Sequence, residues 1–190
     1  MTQVAILVVV GVFLFFVFLK LAIQGPSVQT PDSTAVIAIR KMVQLNGLSF
    51  PGAQRLWDPG ELEMLQSSPE LGEVTDIFRK ERRAMALLWT SLLLADVTSL
   101  WRFRRFLVRN GAPASLGEEL QILQTAVLAV LFLSSLQLFL RFAGPVAVGG
   151  AARRARRMVE RLSYSSARAL DRMPRAGWAE VERDWQKSLA

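Results

Sequence analysis

The chain has 190 residues, 52% of them hydrophobic, with a mean hydropathy of +0.29 and a formal net charge of +7. It contains no histidine and no cysteine, which excludes imidazole general bases, thiol nucleophiles, disulfides, zinc fingers and histidine-ligated haem. The positive charge is concentrated late in the chain: residues 141–190 hold 11 basic and 5 acidic side chains, against 7 and 8 in residues 24–83.

Residues 4–23 are interrupted only by Lys20. Twenty residues at helical rise match the roughly 30 Å of a hydrocarbon core, so this run reads as a transmembrane anchor. No basic side chain precedes it and no small-residue cleavage site follows, which favours retention over removal as a signal peptide. Gly25-Pro26 and Pro31 mark a linker. Val36, Ile39 and Val43 then predict an amphipathic helix over 34–46, stopped by Asn46-Gly47, with a short β-branched strand at 35–39 as the alternative.

Pro51-Gly52 and Pro59-Gly60 bound a loop carrying Phe50 and Trp57, and Asp58-Pro59-Gly60-Glu61 has the acceptor, proline and carboxylate of a capped helix start over 59–66. From Pro69 one long helix is expected to about Arg109, with Leu71, Val74, Phe78, Met85, Leu88 and Leu92 recurring at three- and four-residue steps. Within it, 84–101 is apolar except for Asp96 and bracketed by arginine clusters, so it reads as a second span. Asn110-Gly111-Ala112-Pro113 ends that helix, and Ser115 with Glu118 or Glu119 starts an antiparallel neighbour containing a third span, 120–142.

Past Gly144-Pro145 and Gly149-Gly150, one face carries Ala155, Val159, Leu162, Ser166, Leu170 and Met173, while Arg153, Arg154, Arg156, Arg157, Arg161, Arg168 and Arg172 cover the rest. That is the composition of a helix lying in a membrane interface. Pro174 stops it, and Trp178, Val181, Trp185 and Leu189 form a second short stripe.

The fold class expected is thus an all-α integral membrane protein. It has an N-terminal anchor (1–23), a cytoplasmic linker with short helices (24–68), a long helical hairpin with spans 84–101 and 120–142 (69–143), and a basic amphipathic tail (144–190). Cytoplasmic retention of basic residues places the N-terminus outside and the C-terminus inside, in a multi-pass arrangement suited to a bacterial inner membrane. Charge alone slightly favours another topology, in which the 84–143 hairpin enters the bilayer without crossing it; the length of the last span argues against that.

Asp96 is the sharpest candidate for function, because an ionisable group in an apolar span needs a partner, a cavity or a proton. Its expected partners are the arginines following Trp101, or Ser134, Ser135 and Gln137 on the facing span. Arg153, Arg154, Arg156, Arg157 and Arg161, with Trp178 and Trp185, are the expected contacts to anionic lipid headgroups or a partner. Nucleic acid ranks below lipid because no base-stacking aromatics surround the arginines. The acidic residues between 61 and 76 match no calcium loop, and there is no phosphate-binding glycine motif, so neither metal nor cofactor is expected. The resulting expectation is a non-catalytic accessory subunit that scaffolds or stabilises a membrane complex alongside other integral subunits. The alternative is a small oligomeric transporter or proton- or ion-conducting protein built on Asp96.

Overall fold

The structure is a computed structural model, and it describes residues 33–67, 70 and 72–189. The anchor expected at 4–23 lies outside the described residues. Among those described, every regular element is helical: α1 (Ser33–Val43), α2 (Gly60–Gln66), α3 (Gly72–Arg109), α4 (Leu116–Ala143), α5 (Gly149–Asp171) and α6 (Trp178–Leu189), with 3-10 turns at Arg55–Trp57, Val146–Val148 and Arg175–Gly177.

Local chemistry sets most of the boundaries. Ser115 caps α4, its hydroxyl accepting the Glu118 amide at 3.2 Å, and the turn before it closes on Gly111 at a positive φ of 84°. Gly144, at φ 77°, ends α4. The Asp58 carboxylate accepts the Gly60 amide at 3.1 Å. The helix there starts one residue later than the motif predicts, with Pro59 at the N-cap position.

At 38 residues α3 is about 57 Å long. Arg82, Ala86, Trp89, Leu93, Asp96, Leu100, Phe103 and Leu107 are all buried. They alternate four- and three-residue steps, the seam geometry of packed antiparallel helices. α4 returns beside α3, and α5 runs back along both, with α1 across α5 and α6 over the far end. Alanines 126, 129, 152, 155 and 167, all buried, let the helices approach closely around Leu133, Leu140, Val159 and Leu170.

Two features differ from the sequence expectation. The α3 stripe at Val74, Met85 and Leu88 is half exposed (50%, 47% and 52%), and the core uses the neighbouring face. α3 is apolar on two faces, and periodicity alone does not choose between them. The arginine-rich helix, expected to lie in the membrane interface, instead packs its apolar face against α1, α3 and α4. An amphipathic stripe reads the same whether it meets lipid or a core.

Candidate functional site

Three charged residues on the buried face of α3 tie it to its surroundings. The Arg82 guanidinium donates to the Leu56 carbonyl at 2.9 Å and to the carbonyls of Arg55 and Asp58, clamping the 3-10 turn. The Asp96 carboxylate accepts the Leu48 amide at 2.9 Å, assisted by the amides of Gly47 and Asn46. Arg104 donates to Glu119 on α4 at 2.8 Å and to the Ser165 carbonyl on α5 at 3.2 Å. One side chain therefore cross-links all three long helices.

This corrects the expectation for Asp96. Its partner is the backbone of the 46–48 loop, not the arginines beyond Trp101. Ser134 is exposed, Ser135 donates to the Leu131 carbonyl of its own helix at 2.9 Å, and Gln137 is half buried. None of the three hydrogen-bonds Asp96 among the described residues. The loop reaches Asp96 because Gly47 lies against the α3 backbone: a Cβ there would sit 2.6 Å from the Leu93 amide nitrogen.

The tryptophans of the tail also turn inward. Trp185 is 4% exposed, donates its indole N–H to the Met42 carbonyl at 3.1 Å, and packs edge-on against Phe103 with ring centres 5.1 Å apart. It belongs to the core, so the expected membrane or partner contact does not stand. Trp178 is half buried and donates to the Leu170 carbonyl at 3.1 Å, with the Arg175 guanidinium over its ring. Both indoles lock α6 onto the bundle.

The α5 arginines do form one outward face. Arg153, Arg154, Arg157 and Arg161 are exposed, and Arg156 is half buried and paired with Glu160 at 2.9 Å. Farther along, Arg172 forms a bidentate pair with Glu118 at 2.8 and 2.9 Å, which holds the Glu118 carboxyl below its ordinary range. The start of α5 borders a cavity of about 560 Å³ walled by Trp57 and Trp89, with Asp58, Arg153, Arg156 and Arg157 around it.

α4 presents the contrasting surface. Leu116, Leu120, Leu123, Val127, Leu131, Leu138 and Phe142 are 40–92% exposed and follow each other at steps of three, four or seven residues along its outer side. α3 and α4 are both long and apolar enough to cross a membrane by length and composition. No cluster of acidic side chains suited to a metal ion occurs among the described residues.

Sequence reasoning missed Arg82 and Arg104, which it treated as charges flanking a span. The available signal was their spacing: both lie on the helical face that also carries Trp89, Leu93 and Leu100. The chain matches no protein-family model, and no curated protein or solved structure is significantly similar to it.

Proposed function

We propose that this chain is a non-catalytic, membrane-anchored scaffold subunit whose α3–α4 hairpin lies along one side of the bilayer without crossing it. The apolar run at 4–23 supplies the tether, the outer stripe of α4 rests in the apolar edge of the leaflet, and the exposed Arg153, Arg154 and Arg157 face an acidic surface of a partner subunit.

The observation that carries this reading is the lengthwise packing of α5 against both hairpin helices. Its start lies beside Trp57 and Trp89, and its end contacts Arg104 and Glu118. Were 84–101 and 120–142 to cross, Arg153, Arg154, Arg157 and Arg161 would sit at the same depth. Each would cost about 2.5–3.5 kcal/mol at the bilayer centre. The polar 46–48 loop docked on the middle of α3 argues the same way, since irregular backbone at that depth requires protein cover. The occupied Asp96 carboxylate removes the main support for a conducting pathway.

The test is purification of the full chain from its native membrane in mild detergent, with mass spectrometry of accompanying proteins. The expected outcome is a defined set of stoichiometric partners that is lost when Arg153, Arg154 and Arg157 are replaced by Glu. A homo-oligomer without partners would contradict the scaffold reading and return attention to transport.

A further inference from the structure

The cavity at the start of α5 brings together an indole wall and a pair of exposed guanidinium groups. Its walls are Trp57 and Trp89, whose rings meet edge to face at 5.3 Å. Trp89 is 1% exposed, and its indole N–H has no acceptor among the described residues. Across the opening stand Arg153 and Arg157, one helical turn apart and both exposed. Neither has an ion-pair partner among the described residues, whereas Arg156 between them is taken by Glu160.

The electrostatics of this corner are unbalanced. α5 begins with no side-chain cap and no acidic residue in its first turn, then places four arginines within residues 153–157. Like charges one turn apart repel, and cations near a helix start oppose its dipole. The carboxylate nearby, Asp58, already accepts the Gly60 amide. The walls are also held rigid: Arg82 clamps the carbonyls of residues 55, 56 and 58. Gly149 brings α5 so close that a Cβ there would lie 3.1 Å from the Trp57 Cβ. The cavity is thus braced on both sides.

We propose that this cavity binds an organic phosphate, with the phosphoryl group between Arg153 and Arg157 and its apolar substituent against Trp57, which Trp89 backs from within the core. Guanidinium pairs match phosphate oxygens bidentately, and indole walls accept an apolar or aromatic group. The same chemistry is offered by a phospholipid headgroup with the start of its acyl chains and by a soluble aryl phosphate. About 560 Å³ lies in the range of small-molecule sites.

The experiment titrates the full chain, held in dodecyl maltoside micelles free of phospholipid, with dihexanoyl phosphatidate, phenyl phosphate and inorganic phosphate, following tryptophan fluorescence. Both organic phosphates are expected to give saturable changes, at least tenfold tighter than inorganic phosphate. The Arg153→Gln/Arg157→Gln chain is expected to lose at least tenfold in affinity, while Arg102→Gln/Arg105→Gln, an exposed pair of equal charge on α3, is expected to bind as the parent does. Tighter binding of phosphatidate assigns a lipid source, and tighter binding of phenyl phosphate a soluble one. Absence of saturation with both organic ligands, equal losses in the two double variants, or inorganic phosphate binding as tightly as the organic ones would overturn the proposal. All four arginines are exposed or at the rim, so unchanged circular dichroism separates loss of binding from loss of fold.

Discussion

α4 and α5 share one core and turn different faces outward. Both lay small and branched apolar side chains against α3, and both are pinned to it by Arg104. Outward, α4 shows leucine, valine and phenylalanine along its whole length, whereas α5 shows arginine. Their inner faces specify the bundle, and their outer faces differ in kind, apolar on α4 and cationic on α5. A helix that is apolar all round, beside one that is sharply two-faced, is what a bundle half supported by a bilayer would need.

The largest effect is expected from removing the side chain that joins the two helices. Arg104→Ala strands Glu119 and the Ser165 carbonyl in a largely buried site, and breaking such a pair costs about 3–5 kcal/mol. Thermal unfolding of the full chain in detergent, followed by circular dichroism, should show a markedly lowered midpoint. A change of under a degree would mean that α4 and α5 do not depend on this link.

Next comes Gly47→Ala. The added methyl meets the α3 backbone at Leu93, which has nowhere to move, so the loop lifts and Asp96 loses its amides. Leaving those groups unpaired costs about 1–3 kcal/mol, read by the same melt. Asp96→Asn, which keeps an acceptor oxygen, is expected to be milder than Asp96→Ala. Equal effects of the two would refute the loop-anchoring role.

The outer faces themselves should separate by location with little change in stability. A fluorophore on Val127→Cys is expected to be quenched by nitroxide lipids labelled near the headgroups, and one on Arg154→Cys to be unaffected. Similar quenching at both positions would erase the distinction between the two surfaces. The smallest effect is expected at the exposed Glu118–Arg172 pair, worth about 1 kcal/mol or less. Because the folded carboxyl titrates below its ordinary 4.5, the contribution is full above that pH and lost as pH falls through the lowered value. Glu118→Gln should abolish that acid-side component of the melting curve.

Much of this architecture was legible from the chain. The Ser115 cap, the Asn110-Gly111 turn, the long helix ending near Arg109 and the face from Ala155 to Leu170 all rest on local signals and appear in the structure. What was not legible depends on contacts distant in sequence. Asp96 meets a loop 48 residues away, and Trp185 donates to a carbonyl 143 residues away. No periodicity encodes such pairings. Arg82 and Arg104 were hidden for a related reason: an arginine at the edge of an apolar run looks like a flank until another segment is seen to supply its acceptors. The cavity arises only when the 53–59 loop and the start of α5 are brought together.

Whether the hairpin crosses is read directly in the cysteine-free background. Single cysteines at Ala114, in the exposed turn between α3 and α4, and at Arg154, on the outer face of α5, are labelled in sealed membranes with an impermeant maleimide. A hairpin lying on one side predicts that both react from the same side of the membrane. Reaction of Ala114→Cys from one side and Arg154→Cys from the other would show that the hairpin crosses, and would rule out a hairpin lying on one side.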